Sequence, residues 1–291
     1  MAWGRLSYGA GVDGITRSAP RFELGAATRV GLTHDVNEDA VEVRQGLRDG
    51  RSYIAMVVCD GVTSSSRGDL ASSVAAAAAI EVLASEIDRV GPLDADERRS
   101  ILRAAVHRAH AAVCDSPIEQ LADTPPPGTT LVAAMVYEGR VDAAWVGDSR
   151  AYLLSPSTAD APGELCVQLT HDHSWVNLVV DRGDMSQADA AQAPLAHAIT
   201  RCIGPLEDPD PSSPAEVSHS HAVVTTGSLL VLCTDGIWGY ADTPAAFSEL
   251  VGDVASTVTA ADLATELVTS ALRQGGGDDM TAAVAFVEGY P

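Results

Sequence analysis

Two apolar runs in this chain end the same way. Met56-Val57-Val58-Cys59-Asp60-Gly61 and Leu230-Val231-Leu232-Cys233-Thr234-Asp235-Gly236 each deliver an aspartate at the end of a buried-type strand. A lone Asp-Gly is ordinarily a turn. Fed by a wholly apolar run, the carboxylate instead emerges at the edge of a core. Three further acidic sites share that character: Asn37-Glu38-Asp39 before the run 40–45, Asp148 in Gly147-Asp148-Ser149-Arg150, and Gly277-Asp278-Asp279 before the run 281–287. Two carboxylates about 4 Å apart repel by roughly 4 kcal/mol at an effective dielectric near 20. If four or five converge, they stay ionised only around cations. An all-oxygen donor set without His or Cys favours Mg²⁺ or Mn²⁺. The glycine at Gly61 permits close backbone approach, so its carbonyl is a candidate ligand as well.

The elements that must position these groups are short Val- and Leu-rich strands, expected at 40–45, 53–59, 130–137, 141–147, 150–154, 221–225, 228–234 and 281–287. Tyr137-Glu138-Gly139-Arg140 joins two of them at hairpin spacing, which implies antiparallel pairing. Long helices are expected over about 69–90 and 94–114, the second opened by Asp94-Ala95-Asp96-Glu97, and a last one over 261–273 stopped by Gly275-Gly276-Gly277. Strands joined by hairpins and interrupted by helix pairs point to an α+β layered domain. Residues 155–165 and 205–219 read as loops, too short to divide domains. The expected organisation is a loose leader over 1–20 and a single domain over 21–291.

Composition narrows the function classes. The chain has 291 residues and a formal net charge of −22, and all 18 of its basic residues are Arg. Phosphate neutralisation needs clustered basic side chains, so a general nucleic-acid binder is excluded. The same charge would be repelled by an anionic membrane face. Five scattered cysteines without a Cys-x-x-Cys pair suggest neither a disulfide framework nor a zinc knuckle. No apolar leader stands at the N-terminus and no uninterrupted apolar run approaches spanning length, so a cytoplasmic protein without membrane insertion is expected.

The order of motifs resembles the PP2C (PPM) metal-dependent serine/threonine phosphatases, bacterial type. Asn37-Glu38-Asp39, Val58-Cys59-Asp60-Gly61, Gly128-Thr129-Thr130, Val146-Gly147-Asp148-Ser149-Arg150, Leu169-Thr170-His171-Asp172-His173-Ser174, Thr200-Arg201-Cys202-Ile203-Gly204, Cys233-Thr234-Asp235-Gly236 and Gly277-Asp278-Asp279-Met280-Thr281 follow one another over about residues 25–287. The resemblance implies a four-layer α/β/β/α sandwich, two antiparallel sheets flanked by helix pairs. It implies two Mn²⁺ or Mg²⁺ ions, with Asp60 bridging both, the Gly61 carbonyl on one, and Asp235 and Asp278 on the other. Glu38 and Asp39 then orient water beside the ions, and Asp148 helps hold a weaker third ion. The implied chemistry is in-line attack of an activated water on phosphoserine or phosphothreonine of protein substrates, reversing a bacterial Ser/Thr kinase. Residues 174–200 match a segment that forms a flap near the site.

Two departures stand out. His34 occupies the position where the family carries a phosphate-gripping Arg, and imidazole lacks the bidentate fork. Asp279 replaces an Asn and is expected to add negative charge beside the ions. These leave an alternative from another class: a regulatory pseudophosphatase that binds metal and phosphorylated partners with little or no turnover.

Overall fold

Residues 53–59 alternate between two apolar surroundings. Tyr53, Ala55, Val57 and Cys59 pack with Ala75, Ala79, Leu83 and Leu102, whereas Ile54, Met56 and Val58 pack with Val132, Leu230, Leu232 and Ala283. With a side-chain period of two, such a strand needs an apolar layer against each face. The computed structural model, which describes residues 21–89, 93–156, 165–205, 216–252 and 259–288, is built on that requirement. The expected leader over 1–20 lies outside the described residues, as do parts of the two expected loops.

The strands are β1 (Arg21–Arg29), β2 (Asp39–Arg48), β3 (Arg51–Asp60), β4 (Leu131–Tyr137), β5 (Arg140–Val146), β6 (Arg150–Ser155), β7 (Leu165–Gln168), β8 (Ser218–Val223), β9 (Leu229–Cys233) and β10 (Met280–Glu288). The helices are α1 (Gly68–Ile87), α2 (Ala95–Asp115), α3 (Trp175–Asp181), α4 (Gln187–Ala190), α5 (Asp235–Trp238), α6 (Pro244–Gly252) and α7 (Ala260–Arg273). They form two five-stranded sheets, β1-β10-β9-β6-β7 and β2-β3-β4-β5-β8, antiparallel in every pairing. One core lies between the sheets, a second between the β3 sheet and α1/α2, and a third between the β9 sheet and α5–α7. This is the α+β four-layer sandwich of the expected class.

Local chemistry explains the boundaries. The β4–β5 hairpin turns on Glu138 and Gly139 with φ of 49° and 74°, the positive pair a type I′ turn requires. The β2–β3 hairpin repeats it with Asp49 and Gly50 at 49° and 75°. Asp94 caps α2 by accepting from Asp96 N and Glu97 N, each at 3.0 Å. The reciprocal capping box belongs to α7, between Thr259 and Asp262. The small residues Ala71, Ala75 and Ala79 let α1 lie close on its sheet. By length and apolarity α1 could also span a bilayer, contrary to the sequence expectation, yet half of its apolar window is buried within the fold.

The unexpected elements have physical reasons. β1 lacks a β-branched run, but nine residue pairs bind it to β10. A side chain at Gly25 would lie 2.3 Å from the Ala260 backbone, so the glycine there admits α7 against the strand. β8 sits at Ser218–Val223 rather than 221–225, because its Ser-His-Ser-His stretch pairs along β5 as a polar edge.

Candidate metal centre

Asp39 opens β2, Asp60 closes β3, and the two are register partners. Asp235 follows β9 and Asp278 precedes β10, and those strands are neighbours in the other sheet. Asp148 lies where the chain crosses between sheets, from β5 to β6. The topology therefore carries all five aspartates to one end of the sandwich.

Their electrostatics show that they act on one another. Burial first, then the charges of Asp235, Asp39, Asp148 and Asp278, pushes the Asp60 carboxyl well above the usual range. Asp39 is pushed well up by burial and by Asp235 and Asp279, against the lowering effect of the Thr281 and Thr234 hydroxyls. Burial and Asp235 raise Asp148 to about 7, with Asp172 adding to it. Burial and Asp278 raise Asp235 to about 6, although contact with Asp60 favours its ionised form. Glu38 is raised by burial, opposed by Thr63. Two carboxylate oxygens here, Asp39 Oδ1 and Glu38 Oε2, are buried with no hydrogen-bond partner. Orphaned acceptors inside a cluster of mutually repelling carboxylates fit divalent cations, which supply the missing partner and neutralise the repulsion.

The motifs without acids hold this cluster in place. Thr130 N and Thr129 Oγ1 both donate to the Asp60 carbonyl at 2.8 Å, and Asp60 N donates to Thr130 Oγ1 at 3.1 Å. Thr130 Oγ1 also pairs with Ser149 Oγ at 2.7 Å, tying Asp60 to the Asp148 crossing. Thr234 Oγ1 donates to Asp39 Oδ2 at 2.9 Å, joining the two sheets through the site. Gly61 N donates to Glu38 O at 3.0 Å. A side chain at Gly61 would come within 2.6 Å of the Gly68 backbone, so only glycine fits beside Asp60.

The neighbouring motifs interlock behind it. Arg150 is buried, with Nη2 2.7 Å and Nε 3.0 Å from the Asp172 carboxylate; it also donates to Tyr152 Oη and Asp242 O and lies 3.6 Å over the Trp238 ring. It is therefore a structural cation, closed to substrate. His173 accepts from Gly147 N at 3.1 Å, and burial ahead of Arg201 lowers it to about 4, so it stays neutral. Thr129 and Ile203 exchange backbone hydrogen bonds at 3.0 and 2.9 Å.

His34 and Asp279 sit at the same end, in contact with each other. His34 Nδ1 is 3.3 Å from Asp279 Oδ2 and 3.6 Å from Asp278 Oδ1. Burial works to lower this imidazole, but Asp279, Asp278 and Glu38 outweigh it, and the net shift is upward. Asp279 adds charge there, acting on His34 and Asp39, and it also ties backbone segments together. It is 3% exposed, its Oδ1 accepts from Gly31 N at 2.7 Å, and its Oδ2 accepts from Glu38 N at 2.6 Å. The roles of the hydroxyls on Thr130, Thr234 and Ser149 were missed at the sequence level, although all three lie in the quoted motifs.

Residues 174–200 carry α3 and α4 around a small apolar cluster of their own, Val176, Val179 and Ala190. Their ends are tied together by Trp175 N to Ala198 O at 2.8 Å and Thr200 N to His173 O at 2.7 Å. His197 of this segment faces Asp235 closely enough to favour its charged form.

The family profile described as Protein phosphatase 2C matches residues 33–272. The chain is 28% identical to the serine/threonine phosphatase stp of Listeria monocytogenes over 227 residues, covering 78% of this chain and 81% of that one. It is 27% identical to the protein phosphatase PhpP of Streptococcus pneumoniae over 264 residues, 90% of this chain and 96% of that one. Among solved structures it resembles the catalytic domain of the serine threonine protein phosphatase PstP in complex with 2 manganese ions, at TM-score 0.65 and 26% identity, covering 92% of this chain and 98% of that one.

Proposed function

The chain belongs to the protein phosphatase 2C family, and on that premise we propose that its clustered aspartates hold two divalent cations for removing phosphate from phosphoserine and phosphothreonine of protein substrates. The observation that carries this reading is the convergence of Asp39, Asp60, Asp148, Asp235 and Asp278, with Asp39 Oδ1 and Glu38 Oε2 left without partners. Asp60, Asp235, Asp278 and the Gly61 carbonyl are the ligands we assign to two Mn²⁺ or Mg²⁺ ions. Asp148 is assigned to a weaker third, with Asp39 acting through water. Bound there, the ions would lower the pKa of a water and offset charge on the phosphoryl oxygens.

The chain's own residues do the rest. Asp60 is fixed by Thr129 and Thr130, so the centre of the site is set before substrate arrives. Asp39 and Glu38 present free carboxylate oxygens where a nucleophilic water can be oriented and its proton accepted. No side-chain nucleophile is required, which agrees with the burial of Cys59 and Cys233. Residues 174–200 act as a flap beside the site, and residues 21–291 work as one catalytic domain. The substrates are phosphoproteins made by a Ser/Thr kinase. With a net charge of −22, segments with basic flanks are favoured over acidic ones. The compartment consistent with this is the cytoplasm, with α1 serving the core rather than a bilayer.

The test is turnover of a phosphothreonine peptide and of p-nitrophenyl phosphate with Mn²⁺ against the Asp60→Asn variant. A loss of at least about a hundredfold is expected, because the variant removes the central ligand. Equal rates in the two proteins would overturn the assignment.

A further inference from the structure

His34 was expected to face substrate in place of an arginine. Its Nδ1 is turned into the protein, with no hydrogen-bond partner and almost no accessible surface. It points at two carboxylates, 3.6 Å from Asp278 Oδ1 and 3.3 Å from Asp279 Oδ2. These three donor atoms all lie within 4.8 Å of one another. Two donors bound about 2.1 Å from a shared ion are roughly 3.0 Å apart at a right angle and about 3.4 Å apart at a tetrahedral angle. The Asp279 separation falls inside that range, and the Asp278 separation is about 0.2 Å wider than its upper end.

The backbone around His34 is tied to the loop before β10. Gly31 N donates to Asp279 Oδ1, Leu32 N to Gly276 O at 2.7 Å, and Thr33 Oγ1 to Gly277 O. A side chain at Gly31 would fall 2.5 Å from the Asp278 backbone. The loop bearing His34 is thus stapled to the loop bearing Asp278. Both oxygens of Asp279 accept from backbone N–H groups of the facing segment, so Asp279 is the positioning residue of the three, while Asp278 Oδ1 accepts from its neighbour Asp279 N at 2.8 Å.

We propose that His34 is a nitrogen ligand to the cation held by Asp278, an inference that rests on the metal-dependent reading above. The centre is then a mixed nitrogen and oxygen site. Imidazole donors favour Zn²⁺, Co²⁺ and Fe²⁺, and more weakly Mn²⁺, over Mg²⁺, because Mg²⁺ retains hard oxygen ligands. His34 therefore sets which metal the protein selects, and Asp279 holds the backbone on either side of it through Gly31 N and Glu38 N.

Two measurements test this on the full chain. In protein labelled with ¹⁵N-histidine, long-range ¹H–¹⁵N spectra should show one imidazole Nδ1 shifting to the position of a metal-bound nitrogen on addition of Zn²⁺. That signal should be missing from His34→Gln. Calorimetric titration should show His34→Gln losing about tenfold or more in Mn²⁺ affinity, with Mg²⁺ affinity little changed. Absence of a bound-nitrogen shift while Zn²⁺ binds overturns the proposal, as does persistence of that shift in His34→Gln or an equal loss for both metals. A chain that binds no divalent cation at all would instead overturn the functional reading, and turnover by Asp60→Asn would do the same without touching His34. Asp279→Asn supplies a second variant: it keeps the side-chain shape but turns one acceptor into a donor, and it should weaken the Zn²⁺-induced shift without abolishing it.

Discussion

Thr130 shows how much of the site is carried by residues that have no charge. Its hydroxyl accepts from Asp60 N and pairs with Ser149 Oγ, so one oxygen links two candidate ligand loops. Thr130→Val preserves the shape and leaves both partners unsatisfied inside the protein. A loss of about 1–3 kcal/mol in stability is expected from the stranded groups. A tenfold to hundredfold loss of Mn²⁺ affinity should accompany it, as for other residues behind metal ligands. Thermal melts with and without Mn²⁺ separate the two effects, and an unchanged Mn²⁺ affinity would mean that Asp60 is positioned by its strand alone. Asp60 and Asp235 stand out in the sequence because two apolar runs end in Asp-Gly in the same way. The hydroxyls do not, since a Thr in a short motif looks the same whether it packs, caps or positions. His34 and Asp279 were legible as departures but not as neighbours. Their contact depends on how the loop after β1 folds over the loop before β10, which no local pattern encodes.

At the scale of elements, the strands buried on both faces were the readable ones. β3, β4, β9 and β10 have long apolar runs because two cores demand them. β1, β7 and β8 lie at sheet edges, where pairing substitutes for propensity and the residue pattern weakens. The short helices α3 and α4 belong to a segment whose own core is only three buried side chains. That segment leaves and rejoins the body at one place, where Ser174 and Ile199 form an isolated bridge. Excising residues 176–197 and joining the ends with a short Gly-Ser linker should therefore leave a folded protein, since the three main cores remain complete. Turnover of p-nitrophenyl phosphate should survive within several-fold, whereas kcat/KM for phosphopeptides should fall more, as the flap role proposed for this segment requires. Equal losses on both substrates would argue that the segment shapes the metal centre rather than substrate choice.

The whole molecule is strongly anionic, and five of its aspartates are carried to one end of its two sheets. Asp148 and Asp235, raised to about 7 and about 6, bind protons more tightly in the folded state than the unfolded value near 4. Stripped of metal, the protein therefore gains stability from these groups at low pH and loses it as pH rises through about 6 to 7. Asp39 and Asp60 are shifted in the same direction and add to the slope. Divalent cations remove the reason for the shift, because they neutralise the carboxylates without requiring protons. Melting curves of chelator-treated protein should thus fall from about pH 5 to about pH 8, while Mn²⁺-loaded protein should stay nearly level and melt higher at the upper end. The gap between the two curves should widen with pH, since metal competes with fewer protons and relieves more repulsion. A metal-free curve that is flat, or a gap that narrows, would mean that the five aspartates do not act as one cluster. Because the sheets are joined at this cluster through Thr234 and Asp39, the dependence should appear in the global unfolding transition and not as a separate local event.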